Sequence, residues 1–273
     1  MSRKRQSAPS CPRSRHDLYA LSFDFASGHC VPPHSHAEHQ LVYASTGVMT
    51  VHTPAGTWVI PSHRGVWVPA RMVHSIEISG AVSMRTLYIS PRVARSVGPG
   101  CRALTIRPLL RELILHAVEL GKLGRRNPEH ARLIEVILDQ LEVARTAALH
   151  LPQPKDARAR RIGQLLHDNP CDQRGLEEIA HWAGASERTI QRCFLAETGL
   201  TFGKWRQQLR LVHSLRLLAA GEKVTSVALE VGYDSLSAFV SVFRRAFGVT
   251  PGRYFESDAP HVRTGGAGSS LNS

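Results

Sequence analysis

The 273-residue chain predicts an α+β, multidomain protein, with a β-rich N-terminal half, a helical connector and an all-α C-terminal domain. Three observations predict it. Residues 19–90 are rich in Val, Ile, Trp and Thr, punctuated by Gly and Pro. Two stretches beyond residue 105 carry apolar residues at helical spacing. One short pattern then occurs twice, 49 positions apart, with Ser186, Phe194 and Gly199 matched by Ser235, Phe243 and Gly248.

The first unit, 16–92, contains LVYASTGVMTVHTPAGTWVIPSHRGVWVPARMVHSIEI, which reads as short strands joined by turns and predicts a β-sandwich or barrel. Across it run Gly28-x5-His34-x-His36-x3-Gln40-x6-Gly47 and Pro69-x-Arg71-x2-His74. His34, His36 and Gln40 differ by even numbers, so strand alternation predicts one shared face, and His74 can join them from another strand. Imidazole suits Zn, Fe, Ni or Cu, which makes the set a candidate divalent-metal site. The same cluster reads as a polar pocket for a small organic effector without metal, or as a structural network. Glu38 shares the parity and is a substitute ligand. His29, His39, His52 and His63 are expected on the surface or in loops.

These spacings resemble the two cupin motifs, with Gln40 where cupins carry Glu and Arg71 where they carry Gly. The resemblance implies a cupin-like β-barrel around the His34, His36, Gln40 and His74 positions. It also raises an alternative reading, a metal-dependent cupin enzyme fused to further helices. Iron oxygenases of this kind need two His and a carboxylate, and Gln40 weakens that alternative. The chain shows no activated Ser, Cys or Lys motif and no phosphate-cradling Gly loop, so no catalytic residue is assigned.

The connector, 93–151, holds two predicted helices, Thr105–Lys122 and Pro128–His150. Leu109, Ile114 and Val118, then Leu133, Ile137 and Leu141, mark their apolar faces. Such faces pack on the barrel, form a homodimer interface, or both. Leu151-Pro-Gln-Pro154 is predicted as a short stiff linker.

The C-terminal unit, 152–256, carries the repeat. LEEIAHWAGASERTIQRCFLAETG (176–199) and VTSVALEVGYDSLSAFVSVFRRAFG (224–248) share the same parts. Each has a small residue for a close helix crossing (Ala180, Ala228) and a turn glycine (Gly184, Gly232). Each then has an N-cap serine (Ser186, Ser235) ahead of apolar residues at helical period. Two helix-turn-helix motifs, about 176–197 and 224–247, follow from this, with double-stranded DNA as the implied partner. Between them Thr201–Ala220 predicts a continuous helix ended by Gly221. At ~20 residues it spans about 30 Å, close to the ~34 Å repeat of successive major grooves.

In the first recognition helix, 186–197, Ile190, Cys193 and Phe194 take the core face. Ser186, Arg188, Thr189, Gln191 and Arg192 are left for the groove, where Arg pairs with guanine and Gln with adenine. In the second, 235–247, the outward residues Leu236, Ser237, Val240 and Ser241 include no Arg or Gln. Weaker base reading is expected there, with Arg244 and Arg245 on the backbone.

From Ala159 to Glu256 the residues resemble the AraC/XylS family of bacterial transcription regulators. The resemblance rests on ASERTIQRCFLAETG and on the closing FRRAFGVTPGRY, with Phe243, Phe247, Gly248, Pro251 and Tyr254 in signature positions. It implies a sequence-specific regulator of promoter or operator DNA, with Arg188, Gln191 and Arg192 at base-reading positions. It also makes residues 20–92 look like the cupin-type sensor arm of such regulators. A regulator whose cupin only dimerises, independent of any ligand, is the further alternative.

The formal charge of +12 fits a polyanionic partner. Five of the excess charges, Arg3, Lys4, Arg5, Arg13 and Arg15, lie in the tail 1–15, which is expected to be disordered, as is 257–273. Residues 152–256 hold 15 Lys/Arg against 11 Asp/Glu, so a basic face rather than a uniformly basic domain must meet DNA. No apolar stretch is long enough for a membrane span, and no apolar segment follows the basic start. The five scattered cysteines read as reduced thiols, so a cytoplasmic protein is expected.

Overall fold

The computed structural model describes residues 16–256 apart from 63, 96, 99 and 145–149. The predicted tails 1–15 and 257–273, and His63, lie outside the described residues. In chain order the strands are β1 (Leu18–Phe25), β2 (Cys30–His34), β3 (His39–Thr53), β4 (Gly56–Pro61), β5 (Arg64–Val68), β6 (His74–Ile89) and β7 (Arg102–Thr105). Helix α1 (Pro108–Leu120), β8 (Lys122–Leu123), α2 (Pro128–Val143) and β9 (His150–Pro152) follow. The rest is helical: α3 (Ala157–Asp168), α4 (Leu176–Trp182), α5 (Glu187–Thr198), α6 (Phe202–Ala219), α7 (Val224–Glu230), α8 (Leu236–Phe247) and α9 (Pro251–Glu256).

Two long strands organise the sheet. β3 has 15 residues and β6 has 16, and they pair antiparallel along nearly their whole length. The near part of β3, His39–Ala44, lies between β5 and the end of β6. The far part, Val48–Thr53, lies between β4 and the start of β6. Register shifts separate the two parts, between Ala44 and Val48. Gly47 sits there at φ +78°, where an added Cβ would lie 2.3 Å from the Ala81 carbonyl oxygen. Such a shift bends the strand and increases the local twist of the ladder.

The expected closed barrel is not what forms. The strand path runs β7-β5-β3-β6-β1-β8, and among the described residues its two end strands do not pair, so the sheet is open. The outer edge of β4 is taken by β9, from the segment expected to be a free linker. Leu151 is buried and Trp205 Nε1 donates to the Pro152 carbonyl at 2.8 Å, so this stretch is a structural seam and not a tether. Connector strands β7 and β8 likewise join the sheet, on β5 and β1.

Helices α1 and α2 cover one face of the sheet. Leu110, Ile114 and Ala117 of α1 and Ile134, Ile137, Leu138 and Leu141 of α2 pack with Leu18, Leu41, Trp67 and Leu87. Leu109, expected on this packing face, is 54% exposed, and its neighbour Leu110 takes that place. The opposite face of the sheet carries Met49, Val51, Ile76 and Ile78. Their apolar cluster continues into Val212 and Leu215 of α6 and Phe239 and Phe243 of α8. A separate core holds the first: Ile179, Ala180, Ile190, Phe194, Trp205 and Leu209. Helix α6 therefore belongs to both helical cores and also packs on β3, β4, β6 and β9.

Candidate nucleic-acid interface and sensor pocket

Each helix-turn-helix is built by the local chemistry its sequence contains. Ser186 Oγ accepts the Thr189 N–H at 3.3 Å, and Ser235 Oγ accepts the Ala238 N–H at 3.2 Å, capping α5 and α8. Gly184 and Gly232 occupy φ +74° and +84° in the turns ahead of them, a conformation cheap only for glycine. The spacer α6 has 18 residues, hence a length of about 27 Å. Thr201 caps its start through the Lys204 N–H, and Gly221 follows its end at φ +90°.

Most of the residues expected to meet DNA lie on exposed faces of α5 and α8. Arg188, Gln191 and Arg192 of α5 are exposed and line an open groove of about 570 Å³ with Leu195, Thr201 and Phe202. Gln191 Nε2 donates to Glu187 Oε1 at 2.8 Å, a bond that must open before the amide can pair with a base. Thr189 is half-buried, its hydroxyl 2.9 Å from Ser186 Oγ. On α8, Leu236, Ser237, Val240, Ser241, Arg244 and Arg245 line a second open groove of about 700 Å³. The basic face is thus uneven, with exposed guanidinium groups in the first half of α5 but only in the last turn of α8.

In the N-terminal domain the structure brings His34, His36, Gln40 and His74 together, though not by the expected route. His34 ends β2, His36 lies in the following turn, Gln40 is in β3 and His74 begins β6. Even spacing on a single strand therefore has no part in it; the turn after β2 folds His36 over Gln40. Among the described residues these histidines are the one group of three or more His, Cys, Asp or Glu whose ligand atoms all approach within 4.8 Å. Glu38 is buried but is not in that group. His36, Gln40 and His74 are at most 8% exposed, and His34 is half-buried. Burial pushes His74 down to about 4, with the neighbouring His34 and His36 adding to the effect.

Behind each ring stands a backbone carbonyl. Nδ1 of His34 donates to Pro32 at 2.9 Å, that of His36 to Glu38 at 2.7 Å and that of His74 to Met72 at 3.0 Å. Carbonyls only accept, so in the neutral rings the protons sit on Nδ1 and Nε2 keeps its lone pair. Gln40 Oε1 lies 3.0 Å from His36 Nε2 and 2.9 Å from His74 Nε2. A metal implied by the cupin likeness fits such a donor set: imidazole nitrogens oriented by carbonyls, with an amide oxygen beside them. Thr86 and Tyr88, which hold the Gln40 amide, escaped the sequence reading, since they lie 46 and 48 residues away with no motif to mark them.

The two domains touch through β6 and α6. Arg216 donates to Glu77 Oε2 at 3.2 Å, and Glu77 Oε1 lies 3.4 Å from His52 Nε2. His52, and then Arg216, hold the Glu77 carboxyl below its ordinary range. Gly80, at φ +76°, lets the α6 backbone approach so closely that a Cβ there would lie 2.3 Å from the Ala219 carbonyl oxygen. The Asp172 carboxylate, buried between Arg174 and Arg206, ties the loop before α4 to α6. Among the described residues no helix is long and apolar enough to cross a membrane, and Cys30, Cys101, Cys171 and Cys193 are free thiols.

Paired helix-turn-helix units on one spacer, joined to a sheet domain that holds a buried histidine cluster, define a DNA-binding transcription regulator with an N-terminal ligand-binding domain. The family profiles agree: one for an AraC-like ligand binding domain matches residues 6–167, and one for a helix-turn-helix domain matches 179–257. The chain belongs to the AraC/XylS family of transcription regulators. The HTH-type transcriptional regulator NimR of Escherichia coli K12 is 35% identical over 243 residues, covering 88% of this chain and 89% of NimR. The regulator RipA of Corynebacterium glutamicum is 42% identical over 104 residues, 38% of this chain and 31% of RipA. Among solved structures, ToxT from Vibrio cholerae O395 aligns over 89% of this chain and 99% of its own at 14% identity, with a TM-score of 0.40.

Proposed function

We propose that this chain is a cytoplasmic, homodimeric regulator whose affinity for its promoter or operator changes when the pocket of His34, His36, Gln40 and His74 is filled, and that it performs no catalysis. The observation that carries this reading is the course of β6. The strand begins in the pocket at His74 and meets α6 at Glu77 and Gly80, so one stiff element touches both the pocket and the spacer. A shift at His74 reaches Glu77 over about 10 Å of strand. Base choice falls chiefly to Arg188, Gln191 and Arg192. Ser186 and Thr189 add local contacts, and α8 contributes affinity through Arg244 and Arg245.

Exposed apolar side chains support a dimer face on the outer helices, with Leu109 and Leu120 on α1 and Val136 and Val143 on α2. Gln40 in the place of a carboxylate supports sensing over catalysis. The test is to footprint the purified full-length chain on genomic DNA. Affinity for the recovered site is then measured at fixed salt for wild type, His74→Ala and Glu77→Gln. A recovered site, with both variants shifting affinity several-fold, supports the reading. Failure to recover a site, or affinity indifferent to both changes, overturns it.

A further inference from the structure

We propose that the loop between α3 and α4, residues 169–175, is a brace that holds the second helix-turn-helix in register with the first. Gln173, Arg206 and Arg210 are then positioning residues that set how far apart the two DNA half-sites lie. The inference rests on the reading that α5 and α8 meet one duplex, and it names what fixes their spacing.

Apolar packing alone relates the two units weakly. The core of the first, with Ile190 and Phe194, takes in α6 as far as Leu209. The core of the second, with Phe239 and Phe243, takes in α6 from Leu211 onward. Among the described residues neither core contains residues of both α5 and α8. One helix is left to join them, and helices of this length curve. The tolerance is small, since each added base pair moves a half-site by about 3.4 Å and turns it by roughly 35°.

Polar contacts bridge the two units where the cores change over. Arg206 and Arg210 lie four residues apart, hence on one face of α6, and both reach the loop. Arg206 donates to the Arg174 carbonyl at 2.8 Å and also to the Asp172 carbonyl. Arg210 donates to the Pro170 carbonyl at 3.2 Å and to the Asp172 carbonyl at 3.0 Å. From the same loop Gln173 Nε2 donates to the Gly232 carbonyl at 3.0 Å, in the turn just ahead of α8. The Arg210 guanidinium also stands 5.8 Å from the centre of the Tyr233 ring.

The two turn glycines show that this contact belongs to the brace and not to a helix-turn-helix as such. Gly184 and Gly232 hold matching places in the repeat, at φ +74° and +84°. A Cβ on Gly184 would meet nothing within 4 Å. On Gly232 it would lie 2.7 Å from Arg210 Nη2 and 2.9 Å from Cys171 Cα, so the loop presses on the second turn alone. Beneath the contact the Asp172 side chain, 5% exposed, pairs with Arg174 at 2.6 Å and Arg206 at 3.8 Å. Apolar packing would avoid the desolvation such groups suffer; what their directional bonds add is a defined geometry.

The operator recovered by footprinting the full-length chain is remade with one base pair inserted, and with one deleted, between the two protected blocks. Wild type is expected to bind both at least tenfold more weakly than the original. Arg210→Met, which keeps the side-chain stem and removes its donors, narrows that preference to threefold or less. Its block under α8 fades at limiting protein while the block under α5 stays. Gln173→Ala, an exposed position, relaxes the preference at least twofold and keeps the test alive should Arg210→Met not fold. Gly184→Ala, with backbone strain but no neighbour to displace, keeps the wild-type preference. The proposal is overturned if wild type tolerates the altered spacings or if the folded brace variants keep the full preference. It is equally overturned if their two blocks weaken together, the mark of a general loss of stability. Failure to recover any operator would fell the regulator reading and this inference with it; a recovered operator with unrelaxed spacing removes this inference alone.

Discussion

Glu77 of β6 and Arg216 of α6 meet at 3.2 Å, joining the strand that starts in the sensor pocket to the helix that spaces the two DNA-reading units. The carboxylate is shared with His52 on β3 and is about two-fifths exposed, so its pairing contributes specificity of docking more than stability. Glu77→Gln is expected to cost at most about 1 kcal/mol of stability. Hydrogen exchange should nevertheless quicken in the last turn of α6 and the first half of β6 together. With the folded carboxyl held low, the pair is fully formed above the ordinary carboxylate range and is lost as pH falls below it. Faster exchange in only one of the two elements would contradict the link.

Gly80→Ala tests the same seam by steric means. A Cβ lying 2.3 Å from the Ala219 carbonyl oxygen, at φ +76°, must push the end of α6 off the sheet. The expected cost is about 1–3 kcal/mol, read as a lower Tm of the full chain. An unchanged Tm would mean that the domains do not pack this way.

The asymmetry of the recognition helices predicts unequal mutants. Arg188→Ala should lose about 1–3 kcal/mol of binding and relax one base position, while Ser241→Ala should alter the footprint far less. Gln191 has a further twist: freeing its amide from Glu187 by Glu187→Ala should leave or improve affinity for the preferred site. Binding assays on the two single variants, at matched salt, decide the asymmetry, and equal losses would refute it.

His213 on α6 predicts acid sensitivity. Burial, with His167 and Arg216 nearby, pushes it down to about 3 from an ordinary 6.5. Over that window the unfolded chain binds a proton that the folded chain refuses. Stability is therefore complete above 6.5 and falls as pH drops, by up to about 1.4 kcal/mol per pH unit. His213→Leu should flatten the slope in urea melts run at pH 7 and pH 5. Parallel slopes for the two proteins would place the acid sensitivity elsewhere.

What was legible in the sequence was whatever local chemistry encodes. A capping serine, a turn glycine and apolar residues at helical period are read within a dozen positions, and α5, α6 and α8 lie where those signs place them. Helix α3 had the same signs, Asp156 as its cap with Ala159, Ile162 and Leu166 buried, but stands outside the repeat that drew attention to the others. The sheet was legible only as strands. The pairing of β9 with β4 joins residues nearly a hundred positions apart and leaves no local mark. The pocket was half legible. Its four side chains fall in two motifs, but the turn that folds His36 over Gln40 and the hydroxyls that orient the amide come from tertiary structure. On α1 the helical period was right and Ile114 is buried as expected, but Leu110 takes the core place expected of Leu109, because both are apolar and only packing distinguishes them.

Hydroxyl-radical footprinting of the full-length chain on its own operator most directly tests whether α6 sets two reading helices on one duplex. Two protected blocks centred about 10 base pairs apart are predicted for each bound chain, with the block under α5 weakened by Arg188→Ala. A single block per chain, or two blocks whose spacing does not follow the helical repeat, would contradict the spacer.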